Sequence, residues 1–308
     1  MPARRTILAA AAIVLCGSLP AAAKDGEQVV FVSWNLRNYL LSPKTDRTGR
    51  STTPPKPEAS ADAIADTLAL LKPDIVGVSE MGSARDLADL QLRLKSRGLN
   101  LPYRTRVDAT DQERHLALLS RYPLQNIRHD TRVGFTLGGL PQYVRRGFLD
   151  CEVKVRSDFS LRILGAHFKS RRIVPQFDQA EFRRNESLLL RSKITNILRA
   201  APQTPLLLFG DLNDTKNSPS VAGLAGARGA PDSLTILPLA DRIGDQWTYL
   251  WRETDEYSRV DFIMASKALL PMIRGKASRV HRAKNWTLAT DHRPLVATIT
   301  VPALPDTP

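Results

Sequence analysis

The chain has 308 residues, of which 43% are hydrophobic and 24% charged. That length accommodates one large domain or two ordinary ones, and that apolar fraction supplies a sizeable core and excludes wholesale disorder. The formal charge of +13, with a sequence pI near 10.1, points to a polyanionic partner, nucleic acid or an anionic lipid surface. The plainer alternative is solubility charge spread evenly over the surface.

The first residues read as an export leader. Arg4 and Arg5 form a charged start, Ile7 to Leu15 an apolar run, and Ala21, Ala22 and Ala23 a small-residue cleavage site. The run is too short to span a bilayer, so a signal peptide over residues 1–23 is expected, not a retained anchor helix. Arg4-Arg5-Thr6-Ile7-Leu8 also matches the twin-arginine pattern loosely. Leu15 stands before Cys16 where a lipid-anchored leader wants a small residue, so no lipid anchor is expected. Cleavage after Ala23 removes two Arg and no acid, taking +13 to +11, and leaves Cys151 as the single cysteine. No intramolecular disulfide is then available, and an exported chain of this kind relies on its core or on bound metal.

Short β-type runs recur along residues 24–308, which are expected to form one domain. In chain order they are Val29–Trp34, Ile75–Ser79, His115–Ser120, Val144–Val155, Leu161–His167, Leu206–Gly210, Val260–Ala265 and Leu295–Val301. Helical patterns fall between some of them. In Glu58–Leu71 the apolar Ile64, Leu68 and Leu71 are spaced by four and three; Ala84–Leu94 and Phe177–Leu198 are similarly amphipathic. Ser42–Pro57, rich in Pro, Thr and Lys, and the Gly/Ala-rich Val221–Pro231 read as surface loops. Strands mixed with a few helices over this length predict a two-layer or four-layer α/β domain. Cys151, inside an apolar-alternating run, reads as a buried strand residue and not as a catalytic thiol.

Polar residues close several of these runs: Asn35 after Val32-Ser33-Trp34, Glu80 after Val78-Ser79, His167 after Gly165-Ala166, and Asp211 and Asn213 after Leu208-Phe209-Gly210. Asp261 lies within Val260-Asp261-Phe262-Ile263, and Asp291-His292 precedes the last strand. Strand ends are where α/β scaffolds carry their sites. Carboxylates with Asn are oxygen ligands for Mg²⁺, and a His with an Asp partner is an oriented general base. Each residue alone also has a plain structural reading. Asn35 would serve as a turn residue, Glu80 as an acid at the start of a helix, Asp211 as a turn cap, and His167 as a surface imidazole. Asp261 is the exception, because a half-buried carboxylate in an apolar strand needs a partner, and His292 suits it.

Taken in order, S-W-N-L at 33–36, D-I-V-G-V-S-E at 74–80, G-D-L-N-D at 210–214 and T-D-H-R-P-L at 290–295, supported by R-V-D-F-I at 259–263, resemble the endonuclease/exonuclease/phosphatase superfamily. Its members include DNase I, abasic-site endonucleases, neutral sphingomyelinases and inositol polyphosphate 5-phosphatases. The resemblance runs from about Val29 to Val301 and implies a DNase I-like four-layered α/β sandwich, two packed β-sheets flanked by helices. It implies Asn35, Glu80 and Asp291 at a Mg²⁺ site, with Mn²⁺ or Ca²⁺ as alternatives. It also implies His167 on the phosphate, Asp211 and Asn213 orienting the nucleophile, and His292 as base paired with Asp261. One position departs. Abasic-site endonucleases carry an acid two residues after the first Asn, and this chain has Arg37 there, which argues against a repair enzyme.

Metal-dependent hydrolysis of phosphodiesters by an exported nuclease is therefore expected, with DNA or RNA as partner and no stable membrane association after leader cleavage. Lys169, Arg171 and Arg172, directly after His167, are the candidate substrate contacts; Arg145-Arg146 and Arg183-Arg184 add charge nearby, and a solvated basic face is the alternative for all of them. A sphingomyelinase-like lipid phosphodiesterase would want an apolar docking segment, but aromatics are 6% and no Trp/Phe-rich loop is evident. A phosphomonoesterase would show a signature around Gly210-Asp211 beyond what the superfamily shares. A non-catalytic nucleic-acid-binding module would be expected to have lost Glu80 or His292.

Overall fold

A computed structural model of the chain describes residues 26–45 and 51–303. The expected leader, with Cys16, lies outside the described residues.

Two six-stranded sheets form the centre. The first is ordered Arg279–Val280, Leu295–Val301, Glu27–Tyr39, Ile75–Met81, His115–Ser120, Tyr103–Arg106. The second is ordered Leu234–Ile236, Asp261–Ser266, Leu206–Asp211, Phe159–His167, Phe148–Arg156, Leu124–Gln125. Each sheet has one parallel neighbour pair, Glu27–Tyr39 with Ile75–Met81 and Phe159–His167 with Leu206–Asp211. A parallel pair needs a crossover, and a helix supplies it each time: Glu58–Leu71 in the first sheet and Gln179–Ala200 in the second.

Period-two alternation decides what each strand face meets. Val29 and Phe31 point into an inter-sheet core with Leu149, Cys151, Leu207, Phe209 and Ile263. Their neighbours Val32, Trp34 and Leu36 point the other way, onto the helices Glu58–Leu71 and Ala84–Ser96. In the second sheet Leu206, Leu208, Phe262 and Met264 turn outward onto Gln179–Ala200 and Pro219–Ala225. Three apolar layers between four structural layers give the expected α/β/β/α sandwich.

The expected helices hold to within two residues, and local capping explains their ends. Ser83 and Asp86 form a reciprocal capping box for Ala84–Ser96, and Asp178 caps Gln179–Ala200. Other expectations are corrected. The expected loop Val221–Pro231 begins inside the helix Pro219–Ala225, which Ser218 caps and Pro219 starts. Within Ser42–Pro57, Lys44–Thr45 pairs with Ser51–Thr53. The strand expected from Val144 begins at Phe148, because Val144–Gly147 is a turn with Gly147 at φ 63°. Cys151 is buried between the sheets, and burial, followed by the charges of Asp150 and Glu152, pushes its thiol up to about 12, so it is no nucleophile.

The sheets meet closely around Phe209. Its ring lies 5.4 Å from that of Phe31 and fills a notch left by two glycines. A Cβ on Gly77 would stand 2.5 Å from the ring, and one on Gly165 would stand 2.8 Å from it. The notch fixes how the sheets slide against each other, and interiors give little under such overlap. Gly77→Ala is expected to destabilise the chain by about 1–3 kcal/mol, lowering Tm by roughly 2–4 °C per kcal/mol. In a double-mutant cycle with Phe209→Leu, calorimetry should show the two changes coupled; simple additivity would mean that the notch is not what holds the register.

Candidate active site

The expected polar residues converge where central strands of both sheets end. Ladder register accounts for most of this. Asn35 pairs with Ser79, one residue before Glu80, and the register breaks just beyond, between Asn35 and Tyr39. In the second sheet Asp211 lies level with His167 on one side and Asp261 on the other. The last strand, Leu295–Val301, pairs with Glu27–Tyr39 and brings Asp291 and His292 in behind Asn35.

Backbone strain concentrates at the same place. Arg37, Asn38, Glu80 and Asn213 have φ of 48°, 55°, 59° and 50°. Asn tolerates that region; Arg and Glu rarely enter it, and such residues cost on the order of 1 kcal/mol or more each. The strain is held by hydrogen bonds that reach the site. Asn38 N–H donates to Glu80 Oε2 at 3.0 Å, Arg37 N–H to Asn35 Oδ1 at 2.9 Å, and Asn213 N–H to Asp211 Oδ1 at 2.9 Å. Gly210, just before Asp211, has φ 149°, and a Cβ there would lie 1.8 Å from the Ala166 carbonyl oxygen. Only glycine lets the two strands stay paired into the site.

Asn35 is the central donor. Its Nδ2 donates to Asp211 Oδ2 at 2.9 Å and to Glu80 Oε1 at 3.3 Å. His167 Nε2 is 3.8 Å from Asp211 Oδ2 and 3.9 Å from Glu80 Oε1. His292 Nδ1 donates to Asp261 Oδ2 at 2.8 Å, which leaves Nε2 facing Asp211 Oδ2 and Asp291 Oδ1, each at 3.9 Å. Asp211, Asp261, His167 and His292 are all buried.

Several residues that sequence reasoning missed hold this set in place. Thr248 Oγ1 accepts the N–H groups of Val260 and Asp261, and the Thr248 carbonyl accepts Arg293 N–H at 2.7 Å. Trp34 Nε1 donates to the His292 carbonyl, and Thr290 Oγ1 donates to the Asn35 carbonyl. Arg293, fully buried, stacks 4.1 Å over Trp247 and pairs with Asp241. Thr290 and Arg293 stand inside the T-D-H-R-P-L motif; nothing marked Thr248. Arg37, where an acid was absent, lies 3.4 Å from Asp291, and Arg114 lies 3.9 Å from Glu80.

Of the plain readings, Glu80 is not the acid of the following helix, since Ser83 and Asp86 fill that role. Asp211 does close a turn onto Asn213, and it stands in the cluster as well. Asn213 also donates to the Phe168 carbonyl. Of the candidate substrate contacts, Arg171 and Arg172 are exposed, with Arg171 donating to Ser258 Oγ at 3.1 Å. Lys169 is buried, its Nζ on Ser170. Burial, then Arg146 and Arg145, pushes its ammonium down to about 8. Arg146 and Arg183 also turn inward, pairing with Asp111 and Asp214.

Electrostatics separates the groups. Burial, then Arg146, His292 and Arg114, drives His167 well below 6.5, so it is neutral at pH 7. Burial and the adjacent Asp261 push Asp211 up to about 7, against the pull of His292 and two hydrogen bonds. Burial acts to lower His292, but the charge and hydrogen bond of Asp261, then Asp211 and Asp291, overcome it and raise the imidazole to about 10. The folded His292 thus holds its proton more tightly than the 6.5 of a free one. Its pairing contributes stability that is complete below pH 6.5 and lost as pH rises through about 10.

A scan against protein-family models matches residues 32–292 to the Endonuclease/Exonuclease/phosphatase family. The chain belongs to this family. Its members hydrolyse phosphoric esters and depend on divalent cations. Solved structures share the fold. A truncated TDP2 from Caenorhabditis elegans is 18% identical, with a TM-score of 0.60, over 89% of this chain and 98% of that one. The human nocturnin catalytic domain with bound sulfate anion is 19% identical, with a TM-score of 0.60, over 88% and 93%. An endonuclease/exonuclease/phosphatase family protein from Bacteroides thetaiotaomicron is 16% identical, with a TM-score of 0.58, over 89% and 98%. A search of curated proteins found no significant match.

The donor chemistry fits the family's cation. Asp211, Asp261 and His292 offer ligand atoms within 4.8 Å of one another, but the Asp261–His292 hydrogen bond already uses His292 Nδ1. Glu80, Asn35 and Asp291 offer hard oxygens beside the dyad, and hard cations prefer these. In the presence of EDTA, NMR titration of the His292 ring should give a midpoint near 10. In Asp261→Asn, which removes the strongest raising group, the midpoint should fall clearly below 10; an unchanged midpoint would show that the dyad does not set it.

Proposed function

We propose that this chain is an exported, metal-dependent phosphodiesterase that cleaves nucleic acid, DNA or RNA, by in-line attack of water. One observation carries the reading. Asp211 Oδ2 stands 3.9 Å from His292 Nε2, 3.8 Å from His167 Nε2 and 2.9 Å from Asn35 Nδ2. A base, a carboxylate and neutral donors thus surround one small volume at the strand ends. Export is supported by the leader pattern of residues 1–23, and nucleic acid by the charge of +11 that remains once Arg4 and Arg5 are removed from the +13.

Each side chain has a role in that volume. Asp261 fixes the His292 tautomer with Nδ1 protonated and Nε2 facing the reacting water. Asp211 and Asn35 align that water and a phosphoryl oxygen, with Asn213 buttressing Asp211 through its backbone N–H. His167, neutral and with its Nε2 in the site, donates to a phosphoryl oxygen as charge develops there. Glu80, Asn35 and Asp291 would hold the cation, which would supply Lewis-acid polarisation of a phosphoryl oxygen and a positive charge favouring the neutral, basic form of His292.

A second assignment of the base is favoured by one observation. Asp211, pushed up to about 7, matches proton acceptance at neutral pH, while three carboxylates hold His292 cationic. The pH profile of kcat/KM separates the two. A His292 base gives an ascending limb that vanishes in His292→Gln; an Asp211 base gives a limb that persists in His292→Gln near pH 7.

The purified chain from Lys24 onward should cleave plasmid DNA or RNA with Mg²⁺ and not with EDTA. His292→Ala should lower kcat by about 10²–10⁴-fold, and it should also lower Tm, because it leaves Asp261 buried without its partner. Cleavage of sphingomyelin and of neither nucleic acid would sink the nuclease reading and keep the chemistry. Binding of nucleic acid without cleavage would favour a module that has lost its activity.

A further inference from the structure

A two-stranded hairpin stands directly against the candidate site, and the nuclease chemistry leaves it without a task. Its strands are Tyr249–Trp251 and Glu256–Ser258, paired antiparallel with Tyr249 opposite Ser258 and Trp251 opposite Glu256. Alternation puts Tyr249, Trp251, Glu256 and Ser258 on one face and Leu250 and Tyr257 on the other.

The first face is continuous with the catalytic residues. The Tyr249 ring lies 4.7 Å, centroid to centroid, from the His292 ring. Tyr249 also bridges to His292 through the backbone, and Leu250 N–H donates to the Asp291 carbonyl at 3.0 Å. Trp251, two residues further out and so roughly 7 Å along the strand, is 45% exposed. Arg171 reaches the same face from the basic segment after His167, through Ser258 Oγ.

The second face is anchored. Tyr257 packs edge-on against Trp247 at 4.7 Å, Trp247 packs on Trp286 at 5.3 Å, and Arg293 stacks on Trp247. The second face thus packs on Trp247 through Tyr257, itself 54% exposed, and the Trp251 indole stays uncovered beside the place where chemistry occurs. An exposed Trp is depleted on ordinary surfaces, and a fixed aromatic step beside a cationic side chain is how proteins hold unpaired bases.

We propose that Tyr249 and Trp251 form a stacking platform for the bases flanking the scissile phosphate, so that the chain acts preferentially on single-stranded nucleic acid. This rests on the nuclease reading above and goes beyond it by naming the strandedness of the substrate. In a duplex the base faces are stacked on each other and offer nothing to Trp251; in a single strand they are free. Position favours this occupant over a membrane: Trp251 continues from Tyr249, whose ring lies 4.7 Å from that of His292, so a base held there lies beside the bond to be cut. The exposed acids Glu253, Asp255 and Glu256 at the tip repel a phosphate backbone as they do an anionic lipid surface, and so confine the strand to the site end of the hairpin. The cation on this face, Arg171, stands toward the site, where the phosphates of a bound strand would run.

The test compares Trp251→Ala and Trp251→Phe with the unchanged chain, each with Mg²⁺. Substrates are a short single-stranded oligonucleotide, the same sequence as a blunt duplex, and the same backbone with tetrahydrofuran in place of bases. The unchanged chain should prefer the single strand. Trp251→Ala should lower the ratio of base-bearing to abasic kcat/KM by on the order of tenfold, mostly through KM, and Trp251→Phe should restore most of it. An equal loss on the abasic backbone, no loss at all, or a preference for duplex overturns the platform while the nuclease reading stands. If the unchanged chain cleaves none of the three but hydrolyses sphingomyelin in phosphatidylcholine vesicles, the nuclease reading fails and the platform with it. Because Trp251 is exposed, the Ala variant keeps the core, and an unchanged Tm confirms that each loss is local.

Discussion

Two carboxylates are forced together at the heart of this fold. Asp211 and Asp261 lie directly opposite on neighbouring antiparallel strands, and both are buried. Facing residues in such a pair have Cβ atoms only about 5 Å apart, and two buried like charges at that distance are untenable alone. The surroundings answer that constraint. His292 brings a positive charge to Asp261, Asn35 gives Asp211 a donor, Asn213 gives it a second, and Thr248 holds the Asp261 backbone. Even so, Asp211 stays hard to ionise. The same frustration that must be compensated for folding leaves a carboxylate and an imidazole poised for proton transfer, as functional sites generally do.

Much of this was legible in the sequence because it follows from period and position. Val29–Trp34 and Leu206–Gly210 read as strands from their apolar runs; Asp211 does end its strand, whereas the strand read to Trp34 runs on to Tyr39 and leaves Asn35 inside it, where the ladder register breaks. Asp261 and His292 were paired on the argument that a carboxylate in an apolar strand needs a partner, and the imidazole lies 2.8 Å away. What stayed hidden has a common cause. The short strands Tyr103–Arg106, Leu234–Ile236 and Arg279–Val280 are edge elements of two to four residues, too brief for a period to show. Thr248 acts through a hydroxyl whose partners are backbone groups twelve and thirteen residues away, which no local pattern encodes. The aromatic hairpin escaped notice because its rings are scattered over Trp247, Tyr249, Trp251, Tyr257 and Trp286, and gather only when the segment folds back beside the last strand.

Basic residues were the least readable part. Lys169, Arg146 and Arg183 look alike in sequence to Arg171 and Arg172, yet the first three are buried and the other two are exposed. A buried guanidinium tells on its neighbours instead of on a ligand: Arg146 bears on His167 and on Lys169, and Arg183 braces Asp214 beside the Asp211 turn. Net charge therefore overstates the cationic surface open to a polyanion, and only the outward-facing share contributes to attraction.

The pairing of Leu295–Val301 with Glu27–Tyr39 also orders events in time. The strand that carries Asn35 begins at Glu27 and waits for one of its neighbours until Leu295–Val301 has been made, and Asp291 and His292 arrive on the segment that supplies it. No shorter product of synthesis holds the dyad. The site is thus incomplete by topology until the segment that carries Asp291 and His292 has closed the sheet.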